Sequence, residues 1–238
     1  MSRKNIVQKR AAALYSGGKD SNLALWQATR IGIKVECLLS IIPEMEESWM
    51  FHFPNAEWTA LQAKGMEIPS VQVTVSSLGE REMKELDTAI SNLQRSLDID
   101  ALISGVVESS YQKSRLAQIC ERYGLELITP LWKKDSTELI SEMLRLNFDI
   151  RFVKVSAMGL GEEWLGRKLD REAFTELALL SRKYGFHLAG EGGEYETFVC
   201  DSPLFKKRIK ITRTTKSWSQ DSGILYIKKA ELVEKRIS

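Results

Sequence analysis

Hydrophobic and polar positions alternate between two periods along the first 130 residues. Ala11-Ala-Ala-Leu-Tyr15 is a short apolar run that ends in a glycine pair, and Asp20–Ile31 then reads as a helix closed by Gly32. Val35–Ile42 is β-compatible and stopped by Pro43, and Ile68–Val75 is a third strand. Ser77 and Glu80 are spaced as a capping box, after which Met83, Leu86, Ile90, Leu93 and Leu97 keep helical spacing. Ala101–Ser104 is a fourth strand. The next helix gathers Leu116, Ile119, Cys120 and Tyr123 on one face, and Leu125–Ile128 follows as a fifth strand.

Strands alternating with helices predict an α/β fold, a Rossmann-like doubly wound parallel sheet covered on both faces. Right-handed crossovers place the loops after the strands along one edge, where such sheets bind ligands. After Pro130 the alternation loosens. Asp135–Leu146 is helical, with Asp135 and Glu138 as a capping box, Ile150–Val155 is a strand, and Asp170–Tyr184 is a helix with Phe174, Leu177 and Tyr184 inward. Arg208–Thr212 and Gly223–Lys228 are the last strand-like runs, and no motif is legible beyond about Thr212. This predicts two units, residues 1–130 and a smaller C-terminal α/β subdomain over 131–238.

Composition narrows the class. The 238 residues, 43% hydrophobic and 28% charged, suit one large or two modest globular domains. Lys plus Arg number 34 against 32 Asp plus Glu, so the net charge of +2 argues against a stable nucleic-acid clamp. Cys37, Cys120 and Cys200 form no C-x-x-C pair, which fits a reducing cytoplasm better than a disulfide framework or a cysteine zinc site. Basic residues near the N-terminus precede only five apolar ones, so neither a signal peptide nor a membrane span is expected.

The stretch Ser16-Gly17-Gly18-Lys19-Asp20-Ser21 lies where the first strand meets the first helix. Two glycines let backbone N–H groups approach a ligand without an intervening Cβ. The helix adds free donors and the positive end of its dipole. Ser16 and Ser21 supply hydroxyls and Lys19 a mobile charge, an ensemble suited to phosphate or pyrophosphate. The plainer alternative is a tight turn capped by Asp20 or Ser21. The spacing matches neither G-x-x-x-x-G-K-[ST] nor G-x-G-x-x-G.

A second cluster, Glu191-Gly192-Gly193-Glu194-Tyr195-Glu196-Thr197 with Asp201 close by, crowds four carboxylates together. Such a group repels itself unless a cation, metal or polar substrate compensates it. The plainer alternative is a solvated polar loop before a strand.

The S-G-G-K-D-S run resembles the PP-loop of N-type ATP pyrophosphatases. Glu191–Thr197 followed by Asp201-x-Pro203-Leu-Phe-Lys-Lys207 resembles the signature of the diphthine–ammonia ligase (diphthamide synthase) family, itself a PP-loop family. Ser48-Trp-Met-Phe-His-x-Pro-Asn55, Gly105-x-x-x-Ser-x-Tyr-Gln-Lys-x-Arg115 and Leu165-Gly-Arg-Lys-Leu-Asp170 match further blocks. The resemblance implies ATP and Mg2+ as cofactors, ammonium as nitrogen source, and diphthine on translation elongation factor two as protein substrate. It also implies a PP-loop ATPase type of fold. Self-association as a homodimer stays open.

Carried over by position, the resemblance assigns ATP to Ser16, Gly17, Gly18, Lys19, Asp20, Ser21, Ile41 and Gly105, with Asp20 as the magnesium ligand. Lys19, Asp20, Arg115 and Glu194 are the expected catalytic residues. The acceptor falls to His52, Tyr111, Gln112, Glu191, Gly192, Gly193, Glu194, Tyr195, Glu196 and Thr197. Diphthine carries a trimethylammonium group, so Tyr195 has a reason to be there through cation–π attraction. His187, by its apolar context, is expected to be structural. Trp26, Trp132 and Trp164 are expected to pack, whereas Trp49 could join a site.

Two other readings stand beside the ligase. One is a PP-loop tRNA-modifying enzyme of thiolation or lysidine type; there Cys200 is the thiol nearest a site. The other is a nucleotide-binding sensor of universal-stress-protein type, for which the acidic cluster has no task.

Overall fold

Ala11, Ala12 and Ala13 are each at most 1% exposed, as only a central strand of a covered parallel sheet requires. They belong to β1 (Arg10–Leu14), and the computed structural model, which describes residues 8–43, 54–75 and 80–235, builds the first sheet around it. β1 leads through α1 (Lys19–Arg30) to β2 (Lys34–Pro43), then through α2 (Thr59–Met66) to β3 (Ser70–Val75). α3 (Glu80–Leu97), β4 (Ala101–Ile103), α4 (Ser110–Arg122) and β5 (Glu126–Ile128) follow. The five strands are parallel in the order β3-β2-β1-β4-β5.

Alternation along the strands sorts side chains between two layers. Ala12, Leu39 and Leu102 face Leu86, Ile90 and Leu93 of α3 and Leu116 and Ile119 of α4. Ala11, Ala13 and Ile103 belong to the opposite cluster with Leu23 and Ala24 of α1. That second cluster continues without a break into the later half of the chain, through Leu131, Leu139, Phe152, Trp164 and Phe198.

The later half contains α5 (Ser136–Arg145), β6 (Asp149–Val155), α6 (Arg171–Tyr184), β7 (Tyr195–Asp201), β8 (Lys207–Ser219) and β9 (Ser222–Glu234). Its sheet is antiparallel, in the order β7-β6-β9-β8. Asp135 caps α5 by accepting from the N–H groups of Thr137 (2.8 Å) and Glu138 (3.0 Å), and Asp170 caps α6 through Ala173. Among the described residues no helix is long and apolar enough to cross a membrane.

The structure departs from the sequence pattern in four places. α2 carries no clear helical period and was not expected. β7 turns part of the acidic run into a strand. β8 outruns its apolar segment because its outer half, Arg213 to Ser219, is exposed and polar and shows no alternation, while β9 runs past Lys228 to Glu234 by pairing with the inner half of β8. Tyr184, expected inward, is 37% exposed. Ser77 of the capping box and the block from Ser48 to Phe53, with Trp49 and His52, lie outside the described residues. Asn55 of that block does have a visible task. It donates to the Leu225 carbonyl at 2.9 Å and accepts from the Ile227 N–H at 2.7 Å, tying the approach to α2 onto β9.

Candidate functional site

β1 and β4 are neighbours whose connections leave in opposite directions, so their carboxyl ends open the crevice in which such sheets hold ligands. A cavity of about 460 Å³ lies there, in the range of roughly 300–1,000 Å³ typical of small-ligand sites. One wall is the loop after β1 and the first turn of α1, with Ser16, Gly18, Lys19, Asp20 and Ser21. Ile41 of β2, Ser104 and Gly105 after β4, and Gln112 of α4 continue the wall. The other side is formed by the second sheet and the loop before it, with Lys154, Gly190 to Gly193, Tyr195, Glu196 and Thr197.

The loop is held in shape by both sheets. Gly17 has φ +82°, and a Cβ there would lie 2.4 Å from Gln62 Oε1, so only glycine fits. Its carbonyl accepts from the Val199 N–H at 3.0 Å and from the Gln62 amide at 2.9 Å. Gly18 is the N-cap of α1, and no side chain caps that end, so the turn-capping alternative for Asp20 and Ser21 does not hold. The Lys19 N–H donates to Thr197 Oγ1 at 3.1 Å, and Asp20 and Ser21 of the same first turn line the cavity, where a helix N-terminus favours an anion. Gly105 passes so close to the same turn that a Cβ would sit 2.8 Å from the Ser21 nitrogen.

Lys19 is 4% exposed, and its ammonium donates to Asp20 Oδ2 at 2.7 Å and to the Ala189 carbonyl at 2.6 Å, lying 5.2 Å from the Tyr195 ring centre. Burial opposes its charge, but Asp20, Tyr195 and Glu191 around it together outweigh that, and its pKa stands above the ordinary lysine value. Asp20 Oδ1 is buried and has no hydrogen-bond partner among the described residues. Burial, with Asp20 nearby, raises the Glu191 carboxyl. Burial likewise pushes Glu196 up to about 7, against the pull of Lys19 and Lys154.

Of the residues expected at the site, the structure brings Ser16, Gly18, Lys19, Asp20, Ser21, Ile41, Gly105, Gln112, Glu191, Gly192, Gly193, Tyr195, Glu196 and Thr197 around this cavity. Gly17 acts from behind the wall. Glu194 is placed differently. Its carboxylate accepts from the backbone N–H groups of His187 and Gly192, both at 2.8 Å, so it staples the 187–194 loop and does not line the cavity. Arg115 is likewise outside the lining, its guanidinium 5.4 Å from the Tyr111 ring centre, and Tyr111 is 59% exposed. Tyr195 lines the cavity but is 1% exposed, its hydroxyl donates to the Leu188 carbonyl at 2.8 Å, and Lys19 lies over its ring. A trimethylammonium group finds no open face there.

His187 stands 3.5 Å from Glu108 Oε2, linking the loops after β4 and before β7. Trp164 is fully buried, and Trp26 and Trp132 pack at the core's edge, as expected. Cys200 is 3% exposed and outside the cavity lining. Two residues at or behind the site carried no signal in the sequence: Gln62, on the unpredicted α2, and Lys154, whose place depends on the pairing of β6 with β7. The internal register Lys154↔Glu196 reveals the second only after folding.

The description "Diphthamide synthase N-terminal domain" matches residues 9–127, and "Diphthamide synthase C-terminal domain" matches residues 135–233. The chain belongs to the diphthamide synthase family. Among relatives, diphthine–ammonia ligase of Homo sapiens is 33% identical over 84% of this chain and 82% of its own length. That of Bos taurus is 30% identical over 96% and 94%. A solved structure described as a predicted subunit of tRNA methyltransferase from Methanocaldococcus jannaschii covers 82% of this chain and 98% of that one, at 18% identity and a TM-score of 0.43. That likeness is too distant to bear on function. Family membership makes this an ATP-dependent ligase.

Proposed function

We propose that the protein amidates diphthine on translation elongation factor two, using ATP and ammonium. The observation that carries the reading is one shared cavity: the phosphate loop and the Glu191–Thr197 segment, far apart in sequence, face each other across it. The acceptor's carboxylate attacks the α-phosphorus of ATP, forming an acyl-adenylate and releasing pyrophosphate. Ammonia then attacks the acyl carbon and AMP leaves. The loop N–H groups, the α1 N-terminus and Lys19 hold the phosphates and neutralise charge that develops on them. On this reading residues 1–130 serve ATP and residues 131–238 supply the acceptor's side of the cavity.

A magnesium ion suits the residues present. Asp20 offers a buried carboxylate oxygen without a partner, and among the described residues no three His, Cys, Asp or Glu gather as a protein cage. Mg2+ characteristically takes one or two carboxylates and completes its shell with substrate phosphates and water. Asp20 would hold the ion, which supplies charge neutralisation on the phosphates.

The thiolating alternative fares poorly on the cysteines. Burial pushes Cys120 up to about 11 and Cys200 up to about 12, and raises Cys37 as well, so none is a ready thiolate. The deciding experiment incubates the protein with ATP, ammonium and diphthine-bearing elongation factor. Conversion of one carboxyl to an amide in the factor's mass, with AMP and pyrophosphate as products, supports the reading. ADP and orthophosphate as products would refute it.

A further inference from the structure

The cavity holds two lysines in unequal situations. Lys19 is already engaged, donating to Asp20 and to the Ala189 carbonyl, and it belongs to the phosphate wall. Lys154 projects from β6 on the opposite wall, is partly buried, and its ammonium makes no hydrogen bond and no ion pair within 4 Å with any described residue. Its cross-strand neighbour in the β6–β7 register is Glu196, which also lines the cavity. A free cation beside a carboxylate, facing a phosphate loop, is where a second anion can sit.

The proposed reaction needs such a place. A carboxylate approaching a bound triphosphate meets like charge, and in a partly desolvated cavity that repulsion is only weakly screened. A cation on the acceptor's side removes much of that repulsion and fixes the attacking oxygen. We infer that Lys154 receives the carboxylate of the acceptor side chain and aims it at the α-phosphorus. The loop, the helix N-terminus and Lys19 serve the phosphates, and Lys154 serves the group that attacks them. This deepens the ligase reading above and rests on it.

Lys154→Met and Lys154→Arg separate the possibilities, assayed beside the parent with diphthine-bearing elongation factor, ammonium and ATP. Affinity for a non-cleavable ATP analogue is measured by calorimetry in parallel. The expected result for Lys154→Met is a KM for the elongation factor at least tenfold higher, with analogue affinity within threefold of the parent. Lys154→Arg, which keeps the charge, recovers part of the KM. An unchanged KM, or analogue affinity falling as far as the KM rises, overturns the assignment, the latter making Lys154 a nucleotide ligand. A parent that binds the analogue but never amidates the factor removes the ligase reading, and the acceptor carboxylate with it.

Discussion

The side-chain amide of Gln62 donates to the carbonyl of Gly17 at 2.9 Å, and the same nitrogen reaches the carbonyl of Val199 at 2.8 Å. One fully buried residue on α2 thus joins the phosphate loop to the edge strand of the second sheet. Its Oε1 occupies the space a side chain at position 17 would need. The shape of the loop is therefore decided partly from outside it.

Replacing that amide should loosen both partners. Gln62→Leu takes a donor from two buried carbonyls, of which that of Gly17 keeps the Val199 N–H, a loss of about 1–3 kcal/mol. Urea unfolding should show that loss, and calorimetry should show at least a tenfold weaker affinity for a non-cleavable ATP analogue. A variant as stable as the parent with full affinity would show that the bridge is idle.

Gly18→Asp should abolish nucleotide binding, by more than a hundredfold. It sets a carboxylate where phosphate must approach the α1 N-terminus, and its Cβ would press to 3.3 Å on the Thr197 carbonyl. Retained analogue affinity in the folded variant would place the triphosphate elsewhere.

Glu194 and Glu196, adjacent in the same motif, should behave differently. Glu194→Ala frees the loop that presents the Ala189 carbonyl to Lys19, so analogue affinity should fall about tenfold along with amidation. Glu196→Gln should slow amidation while analogue affinity stays within a few-fold. Identical profiles for the two variants would contradict the division between a loop staple and a cavity wall.

Glu196 also predicts a pH dependence of stability. Its folded pKa, near 7, exceeds the ordinary value of 4.5, so the folded state holds the proton more tightly than the unfolded one. Its contribution is favourable below about pH 4.5 and is lost as pH rises through about 7. Glu196→Gln should therefore stabilise the protein at pH 8 relative to the parent, by up to about 2 kcal/mol, and leave it unchanged near pH 4.5. Denaturant titrations at the two pH values check this. An equal effect at both would assign the stabilisation to something other than the proton.

Serine at Cys37, Cys120 and Cys200 tests the remaining chemistry. All three thiols are buried, so stability should drop by about 1–3 kcal/mol per site. Any folded variant should retain a substantial share of its ammonium-dependent amidation, because ammonia needs no thiol to attack an adenylate. A folded, ATP-binding but inert variant would indicate sulfur transfer.

The parallel sheet, the phosphate loop and the acidic run were legible because each is local. Apolar strands of a covered sheet show as continuous runs, and a glycine pair between strand and helix marks the loop directly. The capping residue Asp135 acts within three positions of itself, so its role was visible in order along the chain. The tertiary structure alone decided which members of each motif reach the cavity. Glu194 and Glu196 are two apart, yet backbone N–H groups of the folded loop claim one and the strand pairing of β7 with β6 turns the other inward. Lys154 meets Glu196 across 42 residues of chain, and Gln62 meets Val199 across 137. Such contacts arise when sheets pair and close over a shared core, and no periodicity records them in advance.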